Sequence, residues 1–253
     1  EVIEFTHSML DVTNDDAVRE ILGRAKPDAI VNCAAYNDVD GAEDHPVDAL
    51  NLNAFAVRAL ARAASHANAA LVHYSTDFVF DGKASEPYVE ADAPNPRGAY
   101  AASKLMGEWF ASDAPRAYVL RVESLFGSVK GARPAKGSVV SILKSLQSGA
   151  EARVFEDRRI SPTYVFDAAA ATRQLLERSA PAGIYHCVNS GSCSWLEFAR
   201  ELARQLGVEP KLVPIRMADA QLRAERPTYC VLSNEKLGVL GIAAAERGKL
   251  VLA

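Results

Sequence analysis

The chain has 253 residues, 49% of them hydrophobic, which suffices to bury a full core in one large or two small domains. Its formal net charge is −4 and it has no basic block, so we predict neither a nucleic-acid partner nor a polybasic membrane anchor. No apolar run approaches the roughly 20 residues that a membrane span needs, and no signal-peptide pattern is present. We therefore expect a cytoplasmic protein that makes no membrane contact.

The cysteines are scattered along the chain, and none forms a Cys-x-x-Cys pair with histidine support. We therefore expect no zinc site and assign no metal ligand. Most of them lie in apolar stretches, which predicts buried free thiols in a reducing compartment. They are Cys33, Cys187, Cys193 and Cys230.

In the first half of the chain, strand-like runs alternate with helix-like runs. This alternation is typical of an α/β fold in which helices cover a parallel sheet. Strands are predicted over residues 2–5, 29–34, 70–75 and 118–122, the second apolar enough to be buried on both faces. Helices are predicted from Thr13 or Asn14 to about Arg24, from Pro46 to about Ser65, and over residues 98–111.

The pattern changes after Gly127. A glycine- and proline-containing loop is predicted over residues 131–137, followed by helices over 138–147 and 165–178, a strand over 183–188 and a helix over 194–206 that Ser194 caps. We expect the last 45 or so residues to be irregular. Residues 1–127 are predicted to form a dinucleotide-binding domain. Residues 128–253 are predicted to form mainly a smaller substrate-binding lobe, with about 163–189 returning to the first domain.

Tyr100 and Lys104 are four residues apart on a predicted helix, so their side chains share one face. A free tyrosine has a pKa of roughly 10, and a fixed neighbouring cation stabilises the phenolate, so we expect Lys104 to lower the pKa of Tyr100. Ser75 and Thr76 end a strand about one βα unit earlier. A hydroxyl there could hold a substrate oxygen against the phenol. The alternative is that Tyr100 only caps a packed helix and Lys104 is solvated.

Several stretches of the chain together resemble the extended short-chain dehydrogenase/reductase family and, within it, the dTDP-4-dehydrorhamnose reductases. The stretches run nearly from end to end and include Tyr100 and Lys104. The Arg-Pro with a downstream Asn-x-Lys-Leu is typical of the rhamnose-type enzymes. The resembling stretches are PDAIVNCAAY at 27–36, Asn53, YSTDFVFDG at 74–82, PNP at 94–96, LRV at 120–122, SPT at 161–163, RPT at 226–228 and LSNEKL at 232–237.

The resemblance implies a Rossmann-type doubly wound parallel sheet with a smaller C-terminal substrate lobe. It implies an NAD(P)H-dependent reduction of the C4 keto group of a nucleotide-activated deoxysugar, most closely dTDP-4-dehydro-L-rhamnose to dTDP-L-rhamnose. Tyr100 would then donate the proton to the keto oxygen. Lys104 would lower the pKa of the phenol and bond the nicotinamide ribose, and Thr76 would donate to the same keto oxygen. The partner is a nucleotide-sugar substrate, and a homodimer is compatible with the pattern.

The resemblance also assigns cofactor residues. Asp11 and Val12 match the position that meets the adenine, although a helix-leading turn would explain Asp11 equally well. The small side chains of Ala34 and Ala35, followed by Tyr36, let a cofactor approach the backbone. These residues, with Asn53, Tyr100 and Lys104, make up the predicted cofactor site; Asn53 could instead bond a neighbouring loop. Residues 5–8 offer no acidic group for a ribose diol, which favours NADPH over NADH.

The substrate side of the predicted site comprises Thr76, Asp77 and Arg226. A guanidinium at Arg226 can grip two phosphate oxygens at once, and a surface salt bridge is the competing interpretation. Asp77 could equally be a strand-end cap. Sugar-nucleotide 4,6-dehydratases carry an Asp-Glu pair after this threonine, whereas Phe78 follows Asp77 here. Phenylalanine cannot do acid–base chemistry, so reduction is favoured over elimination.

The chain departs from the family pattern in two places. The family opens with a strand and a G-x-x-G-x-x-G loop that holds the pyrophosphate, and no such loop is present. We expect residues 2–5 to be the family's second strand, with about 25 to 30 residues, one βα unit, missing ahead of it. As given, the chain should bind a dinucleotide poorly. Ser124 stands near a position that is commonly aromatic in rhamnose reductases.

Two alternatives therefore remain open at this stage. One is another sugar-nucleotide 4-ketoreductase. The other is a non-catalytic regulatory subunit resembling the β subunit of methionine adenosyltransferase, which shares this fold and much of the pattern.

Overall fold

The structure is a computed structural model that describes residues 1–128 and 137–242. The predicted loop over 131–137 lies, apart from Gly137, outside these residues. The strands are β1 (Ala29–Asn32), β2 (Ala70–Thr76), β3 (Ala117–Val122), β4 (Leu125–Phe126), β5 (Ala152–Phe155), β6 (Arg159–Ile160), β7 (Thr163–Tyr164), β8 (Gly183–His186), β9 (Cys193–Ser194) and β10 (Leu212–Ile215).

The helices follow the predicted alternation with the strands. One helix, α3 over residues 46–67, consists of three consecutive segments. The helices are α1 (Asp15–Ala25), α2 (Gly41–Asp44), α3 (Pro46–Leu50, Asn51–Phe55 and Ala56–Ala67), α4 (Gly98–Ala111), α5 (Ser138–Ser148), α6 (Val165–Glu177), α7 (Trp195–Leu206) and α8 (Glu235–Val239). Short 3-10 turns lie at Asp77–Val79 and Met217–Asp219.

The main sheet is parallel throughout, with the strand order β1-β2-β3-β8. Neighbouring side chains on a strand point to opposite faces, and each face is covered by helices. Leu71 packs with α1 and α3 on one face, and Val72 packs with α6 and α8 on the other. This is the doubly wound Rossmann-type arrangement that the sequence predicts, and it brings the carboxyl ends of all four strands to one edge.

Local sequence explains where several helices begin. Asn14 caps α1 by accepting a hydrogen bond of 3.1 Å from the Ala17 amide, and Ser194 and Glu197 form a reciprocal capping box at the start of α7. The predicted helix from Pro46 runs on to Ala67, but its second segment, Asn51–Phe55, is a π-helical turn. Such turns are frequent at functional sites, and this one contains Asn53.

The C-terminal half forms a hydrophobic cluster separate from those on the main sheet. The cluster joins α5 and α7 to the parallel pair β5–β10 and contains Ile160, Trp195 and Leu202. β8 belongs to the main sheet, and α6 packs against it. The prediction of an irregular end is wrong for part of the segment, because β10 and α8 are regular. Residues 243–253 lie outside the described part of the chain.

Two predictions about the first strands are also wrong. Residues 2–5 form no strand, and Val2 is 94% exposed. In the Rossmann strand order 3-2-1-4-5-6, counted along a complete fold, the second strand pairs with the first. No described segment of this chain supplies such a neighbour for residues 2–5. For the same reason β1 is the edge of the sheet. It ends at Asn32, and Val31 is 45% exposed rather than buried on both faces.

Cys187 and Cys230 are buried free thiols, as predicted, whereas Cys33 is exposed beyond the end of β1. The prediction of burial is therefore wrong for Cys33, because the open edge of the sheet leaves that position uncovered. Within residues 1–128 and 137–242, none of the helices has both the length and the apolar character that crossing a membrane requires.

Candidate active site

Tyr100 and Lys104 both lie on the buried face of α4, against the carboxyl end of β2. The Lys104 ammonium donates a hydrogen bond of 2.6 Å to the Tyr74 carbonyl oxygen. The Thr76 hydroxyl, at the last residue of β2, lies near enough to the Tyr100 phenol to act to lower the pKa of that phenol. The two side chains therefore share a face, as the four-residue spacing predicts, and the alternative of a solvated lysine is wrong because Lys104 is only 3% exposed.

The predicted electrostatic effect of Lys104 on Tyr100 is not what the structure gives. Burial raises the pKa of Tyr100 to about 12, the Asp77 carboxylate adds to the rise, and the Thr76 hydrogen bond opposes it. Burial also lowers the pKa of Lys104 to about 8, against the opposing effect of Glu108. The prediction of a lowered phenol pKa is therefore wrong for this state. Desolvation outweighs the ammonium, which is bonded to a strand carbonyl rather than to the phenol.

A buried ion pair fixes α4 against the sheet behind these residues. Arg121 of β3 donates to both oxygens of Glu108 at 2.9 and 2.8 Å, and both side chains are 1% exposed. Ser75 also bonds this carboxylate. Glu108 is one helical turn beyond Lys104, so the same pair that anchors the helix holds a negative charge near the ammonium.

The loop after β1 is tied to the π-helical turn of α3. The Asn53 amide oxygen accepts from the Tyr36 amide at 2.8 Å, and its nitrogen donates to the Tyr36 carbonyl at 3.1 Å and to Ser103 at 2.9 Å. Asn32 accepts from the Ala34 amide at 3.0 Å. Asn53 therefore joins the β1 loop, α3 and α4, and its alternative role of bonding a neighbouring loop is realised.

Asp77, immediately after Thr76, is 3% exposed and lies in a group of buried polar residues that no sequence motif brings together. Its Oδ1 accepts from the Thr76 hydroxyl at 3.0 Å, and its Oδ2 lies 3.9 Å from Arg158. Glu123, the residue after β3, is 2% exposed. Ligand atoms of Asp77, Glu123 and Cys230 lie within 4.8 Å of one another, a set that could hold a metal ion.

Arg158 supplies a positive charge at that group. Its guanidinium lies 3.6 Å from the Cys230 sulphur and 5.2 Å from the centre of the Phe78 ring. Phe78 in turn meets the Tyr100 ring edge to face, with centroids 5.6 Å apart. Phe78, which follows Asp77 in the sequence, is thus a packing element between the arginine and the phenol.

Arg226, predicted to bind a substrate phosphate, donates a hydrogen bond of 2.8 Å to Asp40 in the segment between β1 and α2. The side chain of Arg226 is 16% exposed, and its Nη1 is buried without a hydrogen-bond partner among the described residues. The contact connects the C-terminal segment to the loop that also carries Tyr36.

Asp11 and Val12 lie just before α1. The Asp11 carboxylate accepts from both the amide and the hydroxyl of Thr13, at 2.9 and 2.7 Å, in an exposed turn. Val12 packs against the cluster that contains Val18 and Leu22. Both residues have a structural explanation, and their contact with adenine stays a prediction.

Comparison with known proteins identifies the family of this chain. A family model described as the RmlD substrate binding domain matches residues 1–247. The chain belongs to the RmlD family. It is 33% identical over 260 residues to the dTDP-4-dehydrorhamnose reductase of Mycobacterium tuberculosis, covering 100% of this chain and 83% of that protein.

Two further relatives bear on the activity. A probable dTDP-4,6-dihydroxy-2-methyloxan-3-one 4-ketoreductase of Streptomyces antibioticus is 37% identical over 246 residues, covering 96% of this chain and 82% of that protein. The crystal structure of a Bacillus anthracis dTDP-4-dehydrorhamnose reductase in complex with NADP superposes with a TM-score of 0.91 at 31% identity, covering 97% of this chain and 86% of that one.

The residues of this RmlD family member at the sheet edge fit a nicotinamide nucleotide. An ammonium has three donors, and Lys104 uses one of them, on Tyr74, among the described residues. The remaining donors are available for ribose hydroxyls. Ala34 and Ala35 are partly exposed, and their small side chains leave the backbone accessible beside the edge strand β1.

Sequence reasoning missed several functional candidates in this RmlD family member. Glu108, Glu123 and Arg158 are single charged residues without a motif around them, and their partners lie 13 to 81 positions away along the chain. The only available signal is that Arg121 stands in β3, whose other residues are apolar or aromatic, and that Glu123 directly follows that strand. A charge at a buried position needs a partner, although the sequence does not name it.

Proposed function

We propose that this chain is an NAD(P)H-dependent oxidoreductase that reduces the C4 keto group of a nucleotide-activated deoxysugar, most closely dTDP-4-dehydro-L-rhamnose to dTDP-L-rhamnose. The observation on which this depends is that the hydroxyls of Thr76 and Tyr100 and the Lys104 ammonium are all buried at the carboxyl end of β2. Membership of the RmlD family and the reductases among its relatives support the same reaction.

Two donors beside one carbonyl oxygen stabilise the charge that develops as the carbonyl is reduced. A nicotinamide cofactor, when bound, supplies the hydride. Because the pKa of Tyr100 is raised to about 12, the phenol is protonated at neutral pH and is available as the acid. We assign Tyr100 as the proton donor, Thr76 as the second donor, and Lys104 as the cation that holds the ribose.

For the cofactor, we propose that the backbone at Ala34, Ala35 and Tyr36 borders the nicotinamide half, with Asn53 fixing that loop, and that Asp11 and Val12 meet the adenine. NADPH is the favoured form because residues 5–8 contain no acidic group. The NADP complex of the Bacillus anthracis relative supports this preference.

For the substrate, we propose that Arg226 exchanges its contact with Asp40 for a phosphate of the nucleotide sugar. Asp77 is too buried to be an open ligand, so we assign its contribution to the substrate site through Thr76, whose hydroxyl it orients. We also propose the division into a dinucleotide-binding domain over residues 1–127 and a substrate lobe over most of 128–253.

A second candidate is a 4-ketoreductase that acts on another dTDP-deoxysugar. Ser124, near a position that is commonly aromatic in rhamnose reductases, and the Streptomyces antibioticus relative favour it. The two candidates share the chemistry and differ only in the sugar. For the assembly and compartment, we propose a homodimer in the cytoplasm. Size-exclusion chromatography with light scattering tests the dimer.

The test is cofactor oxidation by the full-length protein with dTDP-4-dehydro-L-rhamnose, compared with other dTDP-4-keto-deoxysugars and with the variant Tyr100→Phe. We expect turnover that requires the keto sugar and falls by about 10³-fold in the variant, within the range of general acid catalysis. Absence of turnover with every keto sugar, together with recovery of a methionine adenosyltransferase in a pull-down, would instead support the regulatory-subunit alternative.

A further inference from the structure

Two neighbouring helices have exposed apolar side chains on the side turned away from the main sheet. Both α3 and α4 cover one face of that sheet, with Leu60 and Ala111 in the core. On the outer side of these helices, Trp109 of α4 is 61% exposed and Phe55 of α3 is 45% exposed. Val47, near the start of α3, is exposed as well. Single exposed apolar residues are ordinary on a protein surface, whereas a contiguous apolar patch marks an interaction site.

The exposed aromatic side chains form one patch where the two helices cross. At the crossing, Gly107 of α4 lies against the backbone of Asn53 in α3. Phe55 and Trp109 stand two positions further along their helices. Phe110, next to Trp109, joins the helices, because its ring centre is 6.1 Å from that of Phe55. These three aromatic residues therefore make a continuous patch that spans α3 and α4.

Charges of opposite sign stand at equal distances on either side of the aromatic patch. Asp48 lies seven residues before Phe55 on α3, and Arg62 lies seven residues after it. Seven residues are nearly two helical turns, so each charge is about 10 Å from Phe55 along the helix axis. All three side chains are exposed. Within the described part of the chain, Arg62 forms no ion pair, and Asp48 approaches only His45, at 4.0 Å.

This arrangement of charges is complementary to itself. If a second copy of α3 lies antiparallel to the first, across a two-fold axis through Phe55, Asp48 of each copy faces Arg62 of the other. Both ion pairs then form together, and the two aromatic patches meet at the centre. In a parallel arrangement, by contrast, like charges would face each other. A second copy of the chain therefore supplies every group that the surface lacks.

The outer face of the helix pair is large enough for such a contact. At a rise of 1.5 Å per residue, α3 is about 33 Å long and α4 about 21 Å, so their outer faces present roughly 500 Å² in projection. The relief of the side chains increases that area towards the roughly 800 Å² that each partner buries in a stable interface. Aromatic residues at the centre with charged residues around them are typical of interfaces.

We propose that two copies of this chain associate through the outer face of α3 and α4, with Asp48 of each copy paired with Arg62 of the other. The proposal rests on the homodimer of the proposed function, to which it assigns a contact surface, and it does not depend on the reaction. The buried sides of the same helices carry Asn53, Tyr100 and Lys104. The contact therefore joins the helices that support the two active sites.

Size-exclusion chromatography with light scattering on the full-length protein tests the pairing. Asp48→Arg and Arg62→Asp each place like charges opposite each other twice in the dimer. We expect the dissociation constant of the dimer to rise about 10- to 100-fold in either variant, since two attractions become two repulsions. Mixed in equal amounts, the two variants should associate about as tightly as the wild type, because every arginine in the mixed dimer then faces an aspartate.

The aromatic patch has its own variant and control. Trp109→Ser removes the centre of the patch and leaves the charges in place, so it should weaken the dimer at least about 10-fold. Arg19→Asp is the matched control, because it reverses an exposed arginine on α1, outside the proposed contact. It should leave the dissociation constant unchanged. The double variant with both Asp48→Arg and Arg62→Asp should dimerise like the wild type, a result that a folding defect in either substitution cannot produce.

Three results would overturn the proposal. A wild type that is monomeric at every concentration refutes it together with the homodimer, whereas turnover of a keto sugar reports separately on the reaction. A dimer that Trp109→Ser and both charge reversals leave unchanged uses another surface. A mixture of Asp48→Arg and Arg62→Asp that associates as weakly as either variant alone, with a double variant that is equally weak, refutes the pairing of the two residues.

Discussion

Lys104 is bound to the backbone carbonyl oxygen of Tyr74 through a hydrogen bond of 2.6 Å, so its ammonium is fixed to β2 and not to the phenol one helical turn away. The position is almost completely buried, which lowers the pKa of Lys104 to about 8, while Glu108 opposes the shift. The cation of the site therefore changes its charge close to physiological pH, and its contribution can be followed by titration.

The first prediction concerns the alkaline limb of the pH profile. Lys104 is charged below its pKa and neutral above it, so kcat/KM for NADPH, which reports the free enzyme, should fall as the pH rises through about 8. Tyr100 does not contribute to this limb, because its pKa is raised to about 12. Steady-state rates measured from pH 6 up to about 10, where free lysine and tyrosine titrate, provide the measurement.

The control for this prediction is Lys104→Met, which keeps an unbranched chain without the charge. Its profile should be flat over the same range and its rates low throughout. An alkaline limb that persists in Lys104→Met would assign the titration to another group.

The second prediction tests whether the rate depends on the hydroxyl group of Thr76 or only on the shape of its side chain. Thr76→Val removes one donor to the developing oxyanion and should lower kcat by about 10²-fold, the lower range for loss of one such donor. Thr76→Ser keeps the hydroxyl and should retain most of the rate. Single-turnover measurements with bound keto sugar isolate the chemical step, and equal rates for the valine and serine variants would remove Thr76 from the mechanism.

The sequence predicts the fold and the common placement of Tyr100 and Lys104 because both depend on short-range regularities. The alternation of strand and helix patterns places β2 and α4 next to each other, and a four-residue spacing places Tyr100 and Lys104 on one face of the helix. The strand ending in Thr76 then reaches the same edge as the helix. None of these steps requires knowledge of which distant residues touch.

The parts that sequence reasoning did not predict depend on long-range contacts and on desolvation. The pKa of Tyr100 rises because the site is buried beside Asp77, an effect that a neighbouring lysine in the sequence does not reveal. The grouping of Glu123 with Arg158 joins segments 35 positions apart. Residues 2–5 likewise form no strand, which local propensity alone cannot reveal, because a strand also needs a hydrogen-bonded neighbour.

The third prediction concerns the close approach of α4 to α3. A Cβ built on Gly107 would lie 2.1 Å from the Asn53 carbonyl oxygen, a backbone atom that cannot rotate away. Gly107→Ala should therefore lower the free energy of unfolding by about 1–3 kcal/mol or more, as overpacking does, and should reduce kcat by displacing Tyr100. Chemical denaturation and steady-state rates measure the two effects.

Gly23→Ala is the matched control, because Gly23 lies within α1 and a Cβ there meets no heavy atom within 4 Å. It should leave activity unchanged and raise the free energy of unfolding by about 0.5–1 kcal/mol, the helix preference of alanine over glycine. A Gly107→Ala variant whose free energy of unfolding is as high as that of Gly23→Ala would mean that helix α4 has room to move away from α3.

The fourth prediction uses the contact between Arg226 and Asp40, 2.8 Å in length, to test phosphate binding. If the guanidinium exchanges Asp40 for a substrate phosphate, Arg226→Ala should raise KM for the nucleotide sugar by about 10- to 100-fold, the value of one or two charge-assisted hydrogen bonds, with a smaller change in kcat. KM for NADPH should not change, which distinguishes lost phosphate binding from general loosening of the loop that carries Tyr36.

Asp40→Asn distinguishes the two roles of Arg226, which are binding of a substrate phosphate and the ion pair with Asp40. The amide keeps the shape but not the charge, so the arginine is released at less cost and KM for the nucleotide sugar should stay equal or fall. A rise in KM as large as that of Arg226→Ala would contradict the exchange. It would show instead that the ion pair itself, by joining the C-terminal segment to the β1 loop, is what the substrate site requires, and that the phosphate has another ligand.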